Sequence, residues 1–426
     1  GIRDFLLSLV GSEMCIRDRI HTGDEMKHTR IPVLPFLAAL LSCTVALSAC
    51  AAEPKTPDEL FAARDKNAFD AATIDAVGDK VFDWQVAHLD DLTFLRNYRE
   101  NIADRRGWVH GAMYVGMFNW AALPGNEAYY EPLLTIAEEE EWKLGDRLFH
   151  GDDHIVGQMY ITLYNREAEK DRDKIDHTIR QLNTILAANP QNSLEFVGDG
   201  IRGVGRACQI RWCWCDALFM SPQTWIMLTE VTGDEAYTAF ADKEVWATTD
   251  YLLDPEYSLY YRDSRYFSQH DDEGNKVFWA RGNGWVYAGV VNILRLLPQD
   301  HPSYPKYLQL YKDMSKTIAS IQHDNGFWRV SLLAKEKYES PETSGTGFMT
   351  YGLAWGVNNG VLDKKEYGPA VKKGWKALVG SVQDDGMLGW VQPIGAAPDS
   401  VYETDTQLYG VGAFLLAASQ MIQAAD

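Results

Sequence analysis

The stretch Arg211-Trp-Cys-Trp-Cys-Asp216-Ala-Leu-Phe-Met-Ser-Pro222 sets one carboxyl, Asp216, into a wall of indoles, thiols and aliphatic side chains, with Arg206 and Arg211 upstream. A carboxyl in such a wall loses hydration, which favours its protonated form and suits it to proton donation near neutrality. Ser221-Pro222 reads as an N-cap followed by proline at the first helical position, so Asp216 is expected on the turn feeding a helix. A second carboxyl station is Gly151-Asp152-Asp153-His154. Alone it could be a helix cap; its weight comes from where it falls along the chain.

That place is set by a period. From about Val81 the apolar positions recur at three- and four-residue spacing, the mark of helices. Polar, glycine-bearing helix starts recur at Trp108, Asp152, Asp216, Arg281, Gly345 and Thr404, at intervals of 44, 64, 65, 64 and 59 residues. Each interval accommodates two helices and their loops, and most hold a second turn signal midway, such as Thr232-Gly-Asp234 or Asp384-Asp-Gly386. Six helix pairs closing on themselves predict an all-α (α/α)6 toroid, with short β-hairpins at Tyr257–Tyr261 and Gly326–Leu332 in the loops. In a toroid the equivalent ends of the inner helices gather at one mouth. The marked segments would then bring together Trp108, His110, Asp152, Asp153, Arg206, Arg211, Trp214, Asp216, Trp279, Arg281, Asn283 and Trp285. Carboxyls, arginines and indoles together suit an acidic sugar: guanidinium forks hold its carboxylate, rings stack on its face, and an Asp moves a proton.

Composition narrows the partners. The formal charge is −20, which argues against nucleic acid, because phosphate binding needs basic surface. The first fifty residues are expected to lie outside the fold. Residues 1–25 resemble a non-native leader. Residues 26–50 carry a basic start, an apolar run and Leu47-Ser-Ala-Cys50, which resembles a bacterial lipobox. Cys50 would be lipidated, and the protein would sit in the periplasm or on the outer membrane. Residues 51–80 read as a tether and 81–426 as one catalytic domain. Cys208, Cys213 and Cys215 lack a second ligand pair, so they are expected as small buried hydrophobes rather than a zinc site or a disulfide framework. No metal and no cofactor is expected, and the sequence is silent on oligomeric state.

Three stretches carry a family resemblance: Gly151-Asp-Asp-His-Ile-Val-Gly157, Trp214-Cys-Asp216-Ala-Leu-Phe-Met220 and Phe278-Trp-Ala-Arg-Gly-Asn-Gly-Trp285. They resemble glycoside hydrolase family 105, the unsaturated rhamnogalacturonyl and related uronyl hydrolases, relatives of family 88. The resemblance implies an (α/α)6 barrel, Asp216 as general acid/base, Asp153 as its carboxylate partner, and substrate contacts from Arg206, Trp279, Arg281 and Trp285. The expected substrate is an oligosaccharide made by a lyase, with a 4,5-unsaturated uronic acid at its non-reducing end. One departure matters. Where that family reads Tyr-His-x-Trp-Asp, this chain reads Tyr261-Arg262-Asp263-Ser264-Arg265, which opens the way to a sulfated, ulvan-type substrate met by Arg262 and Arg265. Two other readings compete. A sugar epimerase on the same fold would use His110 and His154 as acid and base. A glycan-binding surface lipoprotein would hold oligosaccharides without reacting.

Overall fold

The computed structural model describes residues 55–197, 207–334 and 337–425. Six inner helices run Trp108–Ala121, Val156–Arg166, Ala217–Met220 with Pro222–Thr232, Ala280–Leu296, Thr343–Asn358 and Leu408–Ala425. Each packs on the next, and the sixth packs on the first, so the ring is closed. Outer helices Tyr130–Glu139, Asp173–Ala188, Ala236–Leu252, Tyr304–Ser320 and Lys364–Val379 follow the first five inner ones. The sixth inner helix is backed instead by Ala71–Ala87, from the other end of the chain. This is the expected (α/α)6 toroid, and all six marked starts lie at or just before inner-helix N-termini.

The tether reading of residues 51–80 needs correction. Helices Pro57–Ala62 and Ala71–Ala87 fold onto the barrel, burying Phe61, Ile74 and Val77. The polar face of an outer helix, broken by Pro57 and by the Asp70 cap, imitates a linker in composition. Of the two expected hairpins, one is a two-residue ladder, Leu253–Asp254 with Leu259–Tyr260; Gly326–Leu332 instead bridges through Ser331 to Trp279. The inner helices are apolar all round because both faces are covered. Leu408–Ala425 is long and apolar enough to span a membrane, yet most of it is buried in the barrel. It lies so close to the first inner helix that a Cβ on Gly412 would stand 2.2 Å from the Ala112 carbonyl oxygen, and one on Gly116 2.3 Å from that of Gly412. Only glycine lets these backbones meet.

Cys208 and Cys213 are also corrected: they form a disulfide, while Cys215 stays a buried thiol. The 3-10 turn Ala207–Ile210 folds the chain back until the two Cα atoms are 5.6 Å apart, within disulfide reach. Cys50 and Arg206, with residues 1–50, lie outside the described residues.

Candidate active site

Asp216 immediately precedes the short inner helix Ala217–Met220, and Ser221-Pro222 divides that helix from the next. Ser221 is not the side-chain cap its position suggested. Its hydroxyl is bonded to His154 Nδ1 at 2.6 Å and accepts from the Trp225 indole at 3.2 Å. Asp216 is 9% exposed. Its neighbour Cys215 donates its backbone N–H to the Arg262 carbonyl at 2.9 Å, which fixes the Tyr261–Arg265 turn against it. Arg262 Nε then stands 3.5 Å from Asp216 Oδ2, and its Nη1 donates to Asp263 at 2.7 Å. The aromatic wall is therefore not the whole environment of Asp216; a guanidinium faces it.

The two adjacent aspartates of the 3-10 turn Gly151–His154 have different surroundings. Asp153 is clamped by Arg147: the backbone N–H donates at 2.7 Å and the guanidinium engages both carboxylate oxygens. Asp153, expected as the carboxylate partner of Asp216, is thus already held by an Arg fork. Asp152 has no such fork among the described residues; Arg147 comes only within 4.0 Å of it. Burial pushes its carboxyl up to about 7, the negative charges of Asp153 and Asp216 push the same way, and Arg147 and Arg262 only partly oppose them. Asp152 therefore holds its proton near neutrality. His150, which the sequence reading passed over, completes the cluster. Burial, with the charges of Arg147 and Arg262, keeps its ring neutral, so Nδ1 accepts the Asp152 backbone N–H at 3.3 Å. The same ring packs against Trp214, with centroids 4.8 Å apart.

Several expected substrate contacts are structural instead. Arg211 pairs at 2.8 Å with Glu244, a buried carboxylate on an outer helix, and its Nη1 donates to the Asn192 carbonyl. Arg281 is fully buried, donating to the Gln392 and Pro393 carbonyls at 2.6 and 3.0 Å and stacking on Trp279. Trp279 is itself buried and bonded to Gln392 at 2.8 Å. Asn283 pins the Tyr260 backbone, and Trp285 sits in the core against Phe348 and Phe219. Arg265 grips Asp263 through two bonds of 2.8 Å and lies over the Phe196 ring, so it braces Arg262's partner rather than reaching out. His110 is bonded through Nε2 to the Ile102 carbonyl and through Nδ1 to Tyr114, and burial pushes its pKa down to about 4. Both nitrogens of His154 are likewise engaged, by Ser221 and the Leu148 carbonyl. The epimerase reading thus lacks its acid and base. Trp108 is half-buried: its ring stacks on Tyr409 at 5.4 Å and forms one wall of a cleft of about 390 Å³ that Arg147 and Asp153 also line. Tyr266 was also missed; its pKa is raised by burial first and then by the carboxylates of this cluster, and its hydroxyl donates to the Ala396 carbonyl.

A closed helical toroid whose inner N-terminal ends gather paired carboxyls, a guanidinium and indoles is the architecture of a glycoside hydrolase acting on the end of an oligosaccharide. The chain belongs to glycosyl hydrolase family 88, whose pattern matches residues 77–425. It is 37% identical to an unsaturated 3S-rhamnoglycuronyl hydrolase of Alteromonas sp. (strain LOR), over 93% of this chain and 99% of that one. A protein of the same name from Formosa agariphila is 35% identical over 74% of this chain and 84% of that one. Among solved structures, one described as a polysaccharide lyase superposes with a TM-score of 0.70 at 31% identity, covering 83% of this chain and 98% of that one. A family 88 protein from Bacteroides vulgatus gives 0.67 at 27%, covering 81% and 99%. The expectation of a glycoside hydrolase is met, and the unsaturated uronyl hydrolase reading agrees with the activity both curated relatives are named for.

Proposed function

We propose that this enzyme removes the 4,5-unsaturated uronic acid from the non-reducing end of lyase-generated oligosaccharides in which the next sugar is a sulfated rhamnose. Within the wider family it would stand with the family 105 type, as its three motif stretches suggest. The observation that carries the reading is buried Asp216 facing the Arg262 guanidinium, with Asp152 close enough to feel the Asp216 charge.

The substrate's double bond is conjugated with the uronate carboxyl, and the ring oxygen makes it a vinyl ether. Asp216 delivers its proton to C4, leaving an oxocarbenium-like cation, while Asp152 keeps its own proton. Water gives up a proton to Asp216 and adds at C5; the hemiketal opens and the aglycone leaves. The glycosidic carbon is never attacked, so the carboxyl separation that sorts retaining from inverting glycosidases does not apply. Arg262, already bonded to Asp263 and facing Asp216, holds the acid in place.

Reaction in ²H₂O and ¹⁸O-water tests this directly. Deuterium at C4 and ¹⁸O at C5 of the released keto sugar are expected, with Asp216→Asn giving about 10²–10⁴-fold less product. Oxygen label at the anomeric carbon, or brisk cleavage of saturated uronides, would overturn the hydration mechanism. The same proposal places the enzyme at a bacterial periplasm or outer membrane, anchored through Cys50. Cys50→Ser should then release it into the soluble fraction; an unchanged membrane association would count against the anchor.

A further inference from the structure

The cleft of about 390 Å³ walled by Trp108 is lined by Arg99, Asn101, Arg106, Arg147 and Asp153, among others. Its charges are unequally satisfied. Arg147 is held by Asp153. Arg106 is held by Asp146 at 2.9 Å, with Asp104 and Glu140 each at 3.5 Å. Arg99 is exposed on the cleft wall and makes no ion pair among the described residues. In a chain of formal charge −20, an exposed arginine without an ion pair on a cleft wall is a local exception, and a lone cation at a cleft draws anions. Arg262 cannot take that role, because Asp216 and Asp263 already balance its guanidinium. Trp108, stacked on Tyr409, supplies an aromatic wall of the kind a sugar ring packs on. Arg147 joins the two places: its guanidinium lines the cleft and comes within 4.0 Å of Asp152.

We propose that this cleft is the aglycone subsite, with Trp108 as the sugar platform and Arg99 as the residue that reads an anionic substituent on the sugar next to the cleaved bond. The inference rests on the proposed uronyl hydrolase reading and adds the residue that selects the aglycone. The anion is a sulfate ester or the carboxylate of a further uronic acid; both offer oxygens to a guanidinium fork. Arg106 and Arg147 border the same space but are engaged by carboxylates, so selection falls on Arg99.

The experiment compares Arg99→Ala, Arg99→Lys and the parent on three unsaturated substrates: a sulfated disaccharide, the same disaccharide desulfated, and a desulfated tetrasaccharide whose aglycone keeps one uronate. Turnover is followed by loss of the alkene's ultraviolet absorbance. Arg99→Ala is expected to raise KM for the sulfated disaccharide about tenfold, the order expected for a charge-assisted contact, while the desulfated disaccharide changes about threefold or less. Arg99→Lys should recover part of the loss. A tenfold effect on the tetrasaccharide but not on the sulfated disaccharide would assign the same subsite to a carboxylate. Equal losses on all three substrates, or no loss on any, would overturn the assignment. Calorimetric titration with rhamnose 3-sulfate and with a saturated rhamnosyl-uronate disaccharide separates this from the parent reading. If the wild type turns over none of the substrates, the uronyl hydrolase proposal fails. Weaker binding of either titrant to Arg99→Ala would still support the subsite, and binding of both unaffected by the change would refute it.

Discussion

Replacing Asp152 by Asn tests whether that carboxyl holds the site's proton. Burial raises its pKa from 3.8 to about 7. At 1.36 kcal/mol per unit, ionising Asp152 in the folded enzyme costs of the order of 4 kcal/mol more than in the unfolded chain. The direction follows from proton counting. Below pH 3.8 both states hold the proton. Between 3.8 and about 7 the folded state keeps it while the unfolded chain has lost it, so stability falls as pH rises. Above about 7 both are ionised and the full penalty is present. Asn has the same shape and no proton to lose, so Asp152→Asn carries none of this dependence. A folded body of about 370 residues unfolds with an entropy near 0.8 kcal/mol/K, so 4 kcal/mol corresponds to about 5 °C. Thermal midpoints of both proteins at pH 4 and pH 8 give the assay. The variant's midpoint minus the parent's is expected to grow by about 5 °C between the two. Comparing the difference cancels every group the proteins share. The parent's kcat/KM should fall above pH 7 as the proton leaves. A midpoint difference that stays constant from pH 4 to pH 8 would refute Asp152 as the proton holder and return that role to Asp216 alone.

Two further outcomes follow from the side-chain pairings. Arg262→Ala removes the guanidinium facing Asp216 and Asp263, so kcat should drop by about 10²-fold or more on sulfated and desulfated substrates alike; a loss confined to sulfated substrate would make Arg262 the sulfate reader instead. Arg211→Ala leaves buried Glu244 with only Lys243, 3.4 Å away, which should cost about 1–3 kcal/mol of stability by chemical denaturation while KM at low temperature stays near the parental value; a raised KM with unchanged stability would restore Arg211 to the substrate site.

The toroid was legible because its signal is long-range and redundant. Inner helices must begin at one end of the barrel, so polar turns such as Gly151-Asp-Asp-His154 and Trp214-Cys-Asp216 recur at nearly one interval, whatever each turn does. The side chains were less legible, for a reason the same architecture supplies. Inner helices are covered on every face, so an arginine or indole at a helix start has as many partners between helices as in the mouth. Arg281 finds carbonyls more than a hundred residues away, on Gln392 and Pro393, and Arg211 finds Glu244 on the next outer helix. Neither partner is visible from spacing. The choice between Asp152 and Asp153 was hidden at the finest scale, since neighbours in one 3-10 turn differ in how closely Arg147 holds them. One local clue existed: Arg147, six residues before Asp153, is close enough to claim one of the two carboxyls. With Asp153 held by Arg147, Asp152 is the carboxyl left without a fork, and burial with the charges of Asp153 and Asp216 raises its pKa. Proton-holding chemistry therefore belongs to the residue with fewest satisfied contacts, a property that local sequence signals only through the partners others have already taken.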